Sequence, residues 1–153
     1  MKKLIPLLFL IAAVSANALE GRVVAVLDGD TIDVLDANNR SHRIRFAEID
    51  APELKGQAFG QMAKQKLSDL CYGRHASVVE GDHDRYGRTV GVVTCNGINA
   101  NQAMVSSGLA WVYRQYTHSP ALFRAEEEAR ASRRGLWADP SPTPPWLWRR
   151  QNK

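Results

Sequence analysis

Three short segments of the 153-residue chain carry side chains of the kind that perform chemistry. The first, Leu27-Asp28-Gly29-Asp30-Thr31, sets two carboxylates around a glycine between two β-like runs. A glycine in a tight turn lets the backbone reverse and leaves Asp28 and Asp30 near one rim. The second runs from Arg43 through Arg45, Phe46, Glu48 and Asp50 to Ala51-Pro52-Glu53. Strand alternation turns Arg43 and Arg45 to the face opposite Ile44 and Phe46, and Asp50 and Glu53 follow where the strand ends. The third, Asp82-His83-Asp84-Arg85-Tyr86-Gly87-Arg88, is a charged hairpin whose last residue opens another strand. Each segment also has a plain structural reading. Asp28 to Asp30 can be hairpin punctuation, Arg45 and Glu53 can form an ion pair while Asp50 caps the turn before Pro52, and Asp82 and His83 read as an exposed turn.

Taken together, the segments supply what phosphodiester hydrolysis requires. A hard cation with oxygen ligands neutralises charge and positions a phosphate. Planar, permanently charged guanidinium groups bind phosphate oxygens in pairs and stabilise charge that grows in the transition state. A carboxylate can orient and deprotonate an attacking water. The histidines at 42, 75, 83 and 118 show no ligand spacing such as HxxxH, which argues against a histidine-metal nuclease using Zn2+ or Mg2+.

These residues need a scaffold, and periodicity supplies one. Three β-like runs are expected at Gly21 to Leu27, Thr31 to Leu35 and His42 to Ile49, with Asn38-Asn39 as a turn. A helix is expected from about Gln57 to Leu70, where Phe59, Met62, Ala63, Leu67 and Leu70 recur at helical spacing. Two further strands, Ala76 to Glu80 and Arg88 to Thr94, flank the Tyr86-Gly87 turn. A short helix from Asn99 to Ser107 stops at Gly108, and another opens at Ser119-Pro120, a cap residue followed by proline at the first helical position. Leu122, Ala125 and Ala129 form its apolar side, Gly135 ends it, and Glu126 to Glu128 read as a solvated face. Beyond Asp139 four prolines precede Trp146-Leu147-Trp148-Arg149-Arg150, a tail expected to lie extended. The order of elements predicts an α+β fold: a five-stranded OB-fold barrel with about three helices.

At these residues the sequence resembles the staphylococcal nuclease (thermonuclease) family. Asp28 to Thr31 match its Asp-Gly-Asp-Thr, Arg45 to Glu53 its arginine strand running into Asp-x-Pro-Glu, and Asp84 to Arg88 its Asp-x-Tyr-Gly-Arg. Asn99 to Gly108 with Leu109-Ala110, and Gly135-Leu136-Trp137, extend the likeness over roughly Gly21 to Trp137. The resemblance implies that Asp30 and Asp50 hold Ca2+ with the backbone carbonyl of Ala51. It also implies that Glu53 is the general base and that Arg45 and Arg88 clamp the scissile phosphate. Ala51 stands where threonine is familiar in the family, a small change for a main-chain ligand. Tyr86 resembles the family tyrosine near the phosphate, and Tyr113 and Tyr116 are the candidates for flanking the nucleotide base. The implied substrates are DNA and RNA, with single strands favoured and products carrying 3′-phosphates. The contrasting expectation is a noncatalytic OB-fold module that binds nucleic acid; such relatives lose charged site residues that this chain keeps.

The whole chain frames these readings. Lys2 and Lys3, an apolar run from Leu4 to Val14 and Ala16-Asn17-Ala18 form the three parts of a signal peptide, expected to be cleaved after Ala18. The apolar run is shorter than the ~20 residues that span a bilayer. Removing Lys2 and Lys3 lowers the Lys and Arg count from 20 to 18 against 16 acids, so the mature chain is mildly basic. Such a balance suits transient handling of a polyanion better than a tight grip on a long duplex. Residues 19–138 are expected to form one domain followed by the tail 139–153. A monomer is expected, periplasmic or secreted and free of the membrane. Export places Cys71 and Cys95 in an oxidising compartment, where they are expected to pair.

Overall fold

The computed structural model describes residues 18–153, so the expected signal peptide lies outside the described residues except for Ala18. In chain order the strands and helices are β1 (Ala18–Asp28), β2 (Thr31–Leu35), β3 (Ser41–Phe46), the two-residue β4 (Ile49–Asp50), α1 (Gly60–Cys71), β5 (His75–His83), β6 (Thr89–Cys95), β7 (Ile98–Asn99), α2 (Ala100–Ser106), β8 (Trp111–Val112), α3 (Pro120–Ala131) and α4 (Pro145–Gln151). The sheet runs β3-β2-β1-β5-β6-β7, and a parallel β3–β6 pairing closes its five long strands into a barrel. Closure removes the unpaired edges that an open sheet would expose. Alternation does the rest: Ile32 and Val34, Ile44 and Phe46, and Val78 and Val93 point inward and are buried.

The expected third strand is interrupted. β3 ends at Phe46, Glu48 takes a positive φ of 65°, and Ile49-Asp50 leave the barrel to pair antiparallel with Val112 and Trp111. Glu48 is held in this detour by Tyr113, whose N–H donates to its carbonyl at 2.8 Å, and by the Thr117 hydroxyl, which donates to its carboxylate at 2.7 Å. The break is what turns Asp50 away from the strand and into the rim.

Helix α1 starts at Gly60 rather than at Gln57. Its buried stripe is Gly60, Ala63, Leu67 and Cys71, packed against β1, whereas Met62, expected on that stripe, is 53% exposed because it lies off this face. Gly60 cannot be larger: a Cβ there would lie 2.1 Å from the Glu53 carbonyl oxygen, so the helix begins directly beneath the loop that carries Glu53. The disulfide Cys71–Cys95 joins the end of α1 to the end of β6 with a Cα separation of 5.3 Å. A loop of this size stabilises a fold by roughly 3 to 4 kcal/mol in the chain-entropy model.

Helices α2 and α3 start where the sequence predicts, but α3 ends at Ala131, short of the expected stop at Gly135. Arg133 takes a positive φ of 52°, and Gly135 opens a separate 3-10 turn, Gly135–Ala138. The Asn99 side chain accepts from Gln102 N–H, and the Ser119 side chain accepts from Leu122 N–H with Pro120 in the first turn. Buried Asn101 pins α2 to the barrel by accepting from Val93 N–H and donating to the Ala47 carbonyl, both at 2.9 Å.

Two further expectations fail in the C-terminal half. Glu126 is buried, not solvated, and the tail is not extended: Pro145–Gln151 form a fourth helix. Pro145 sits at the first helical position after Pro144, where a missing N–H costs nothing and the fixed φ helps. Trp146 and Trp148 then pack onto the body of the molecule. No helix among the described residues is long and apolar enough to cross a membrane.

Candidate active site

The β1–β2 turn delivers Asp30 to the barrel rim. Gly29 serves by its size: a Cβ there would come within 2.6 Å of the Ala63 Cβ and 2.7 Å of the Ala51 Cβ. The turn therefore packs directly on α1 and on the residue after Asp50. The Asp30 side chain accepts from Ala51 N–H at 2.7 Å and from the Thr31 hydroxyl at 3.2 Å, and Asp30 N–H donates to Asp28 at 3.0 Å. Burial, reinforced by the charge of Asp30, pushes the Asp28 carboxyl up to about 7.

Arg45 links the carboxylates. Its Nη1 donates to the carbonyls of Phe46 at 2.6 Å and Ile49 at 2.9 Å, stitching across the break between β3 and β4. Its Nη2 lies 3.1 Å from Asp50 Oδ1 and 3.3 Å from Asp30 Oδ2, so two nearly buried carboxylates converge on one nitrogen. The ion pair weighed in the sequence between Arg45 and Glu53 is not the one formed. Burial pushes the Asp50 carboxyl up, against the hydrogen bond from Arg149 that lowers it.

Glu53 stands at the mouth of this group, its side chain 36% exposed, with its N–H donating to the Gln57 side chain at 2.8 Å. Its carboxylate is engaged by Arg149, a residue the sequence reading passed over. Arg149 Nη1 donates to Glu53 Oε1 at 2.6 Å, and Nη2 donates to Asp50 Oδ2 at 2.8 Å. Burial works against the charge on Arg149, but its hydrogen bonds to Asp50 and Glu53 raise its pKa above the ordinary arginine value. A signal was available: Pro144-Pro145 ahead of an apolar and basic run is a helix start, and a helix from Pro145 places Arg149 one turn beyond it.

Arg88 lies apart from these contacts, just before the β6 segment that pairs with β3. Its Nε donates to Asp84 at 2.6 Å, and its guanidinium sits 5.6 Å from the Tyr86 ring centroid. Loss of water around Asp84 would raise its pKa, but hydrogen bonds from Arg88 and from Tyr86 N–H hold it below the usual carboxylate range. Asp82 and His83, expected in an exposed turn, are exposed but form the end of β5, where His83 pairs with Thr89 across the ladder and contacts its hydroxyl.

Beside the carboxylates opens a cleft of about 890 Å3 lined by Tyr86, Tyr113, Arg114, Trp146, Arg149 and Arg150 among others. Tyr86 and Tyr113 thus share a wall, while Tyr116 meets Tyr113 edge-on and is itself exposed. Tyr113 lies face to face with Trp146, ring centroids 5.0 Å apart and planes within 8°.

The donors at Asp30 and Asp50 are oxygen atoms, the set a hard cation prefers. Among the described residues no group of three or more His, Cys, Asp or Glu side chains is arranged to hold a metal, so a cation there would need main-chain oxygens and water besides.

A closed five-stranded barrel with carboxylates and arginines at one rim, beside a basic and aromatic cleft, belongs to the OB-type proteins equipped to handle phosphodiesters. The comparisons give that class a name. The family described as "Staphylococcal nuclease homologue" matches residues 43–139. An "Uncharacterized endonuclease" of Escherichia coli O157:H7 is 46% identical over 152 residues, covering 97% of this chain and 98% of its own length. A "Micrococcal nuclease" of Shigella flexneri is 47% identical, covering 94% of this chain and 88% of its own. An "Uncharacterized endonuclease" of Haemophilus influenzae is 49% identical, covering 86% and 74%. The chain belongs to the staphylococcal nuclease family.

Proposed function

We propose that the protein is an exported, calcium-dependent endonuclease that hydrolyses phosphodiester bonds of DNA and RNA and leaves 3′-phosphates. The observation that carries the reading is the convergence of Asp30, Asp50 and Arg45 at one point of the rim, with Glu53 at its mouth. Asp30 and Asp50, with the carbonyl of Ala51, are the residues that would hold Ca2+; when bound, the ion would neutralise phosphate charge and help align it for attack. Glu53, at the mouth, accepts the proton of the attacking water. Arg45 and Arg88 face the phosphate with charge that does not titrate away, the property that suits them to the developing oxyanion. Both guanidinium groups are already oriented by a carboxylate, Arg45 by Asp50 through Nη2 and Arg88 by Asp84 through Nε, and donors on each remain for phosphate oxygens.

Tyr86 is exposed on the cleft and offers its ring to a nucleotide, while Tyr113, stacked on Trp146, forms an aromatic wall of the same cleft with the exposed Tyr116 next to it. An unpaired strand can present its bases to such rings more readily than a stacked duplex, which favours single strands. The signal peptide would deliver a monomer to the periplasm or beyond, where the disulfide is at home.

The test is cleavage of single-stranded DNA by the mature protein, with Ca2+ and with a calcium chelator, wild type beside Glu53→Gln and Arg88→Ala. Cutting should require Ca2+, and each variant should lose on the order of 10² to 10³ in kcat. A wild type that binds DNA with Ca2+ yet leaves it intact would replace the enzyme with a binding module.

A further inference from the structure

The C-terminal helix brings a second guanidinium to the carboxylates beside that of Arg45, and the mechanism above does not use it. Arg149 reaches Glu53 Oε1 at 2.6 Å and both oxygens of Asp50, at 3.2 and 2.8 Å. The helix that carries it is fastened to the same loop. Trp146 stacks on Tyr113 and meets Trp111 edge-on at 5.7 Å. The Trp148 ring packs so closely over Gly56 that a Cβ there would lie 3.2 Å from it. The Gln57 side chain accepts from Glu53 N–H and donates to the Thr143 carbonyl at 2.9 Å, tying the Glu53 backbone to the tail. Arg149 is thus offered from a docked base, so its side chain can change partners while the helix stays in place.

The two carboxylates it touches make different demands. Glu53 is partly exposed, and among the described residues its only ion-pair partner is Arg149. A long acidic side chain without such a partner samples several rotamers and must be ordered at each turnover. Asp50 already has Arg45, and for its oxygens a second guanidinium is a competitor of any divalent cation.

Resting on the nuclease reading, we propose that Arg149 is a positioning residue of the reaction site. It orients the Glu53 carboxylate, and it holds Asp50 until a divalent cation takes its place. The two roles separate in one variant. Losing Arg149 should free Asp50 for the cation and at the same time leave Glu53 unaligned. Metal binding should therefore tighten while turnover falls, a combination that simple loss of structure does not produce.

The experiment uses the full mature chain with its disulfide intact. Calcium is titrated calorimetrically without nucleic acid, and kcat and KM are measured on single-stranded DNA at saturating Ca2+. Arg149→Ala should bind Ca2+ several-fold more tightly and lose roughly 10- to 100-fold in kcat, the size seen when a residue that orients a site is removed, with KM changed by about twofold or less. Arg149→Lys, which keeps the charge but not the fork, should recover part of the kcat. Near-ultraviolet circular dichroism reports whether the Trp146–Tyr113 stack survives; Arg149→Gln serves if Arg149→Ala disturbs it. An unchanged kcat overturns the proposal, and so does a kcat that rises at saturating Ca2+, which would make the tail an obstruction. A wild type that never cuts defeats the nuclease reading instead, and the two failures are told apart by the wild-type lane alone.

Discussion

Asp50 and Glu126 are equally buried, each 1% exposed, and each faces two arginines, yet they keep opposite company. Glu126 is one acid between Arg114 and Arg130, and its other oxygen accepts from Val112 N–H at 2.7 Å. Its arginines are occupied a second time by aromatic rings, Arg114 over Phe123 and Arg130 over Trp137. Around Asp50 the balance is reversed: Asp30 and Glu53 join it, three carboxylates against Arg45 and Arg149. A buried acid with a surplus of positive partners ties α3 to β8 and asks for nothing more. A cluster with a surplus of negative charge can accept another cation, the property on which the calcium reading rests. Similar residue types therefore build a brace in one place and a candidate reaction site in the other.

If that contrast is right, the same kind of substitution should have unlike consequences. Glu126→Ala leaves Arg114, Arg130 and a buried N–H without their acceptor and should cost about 3 to 5 kcal/mol. The loss would be read from the denaturant midpoint. Asp50→Asn removes one acid from a group with too many, keeps the side-chain shape, and leaves Arg45 with Asp30 and Arg149 with Glu53. In a calcium chelator its stability should stay within about 1 kcal/mol of wild type. On the calcium reading Ca2+ should raise the Tm of the wild type by mass action, and this variant should lose that rise. Equal losses in chelator would break the comparison.

A smaller effect sharpens it from the packing side. In Gly29→Ala the new methyl meets Ala63 and Ala51 at distances no Cβ tolerates, so the turn must shift. Overpacking of this sort costs about 1 to 3 kcal/mol. Because Ala51 adjoins Asp50, the shift should also weaken Ca2+ binding in calorimetry, while the Glu126 brace on the far side of β8 is untouched. A destabilised variant with wild-type calcium affinity would show that Gly29 serves the fold and not the site.

Much of this was legible in the sequence because it is local. Alternation around Ile32, Val34, Ile44 and Phe46 marks the barrel strands, and the caps at Asn99 and Ser119 announce their helices within three residues. Asp30, Arg45, Asp50 and Glu53 stand out through short motifs that resemble those of the family, and a motif is local too. What escaped depends on long-range contact. Glu126 shares the α3 face of Leu122, Ala125 and Ala129, so helical spacing singles it out among three consecutive glutamates. Its partners Val112 and Arg114, however, come from outside the helix. Arg149 lies 96 residues from Glu53, and its role depends on where a seven-residue helix docks. The prolines before that helix marked a start as much as a break, and tryptophan packing, which periodicity over so few residues cannot reveal, decided the matter.

The other limit of the comparison is Asp36, a partly covered acid near the surface with a single cationic partner. His42 donates a hydrogen bond to its side chain at 2.8 Å, and the N–H groups of Arg40 and Asn38 add two more. The His42 contact leads these in holding the Asp36 carboxyl below its ordinary value. A carboxyl lowered in the folded state contributes stability above its unfolded pKa of 3.8 and loses it as the pH falls through the lower folded value. Wild type should therefore lose more Tm than Asp36→Asn between about pH 5 and pH 2, by ~2 °C or less, because pairs near the surface are weakened by water and salt. Raising the ionic strength should shrink the difference further. A larger difference that salt leaves unchanged would mean that nearness to water does not discount this pair, and the ranking of Glu126 far above it would lose its physical basis.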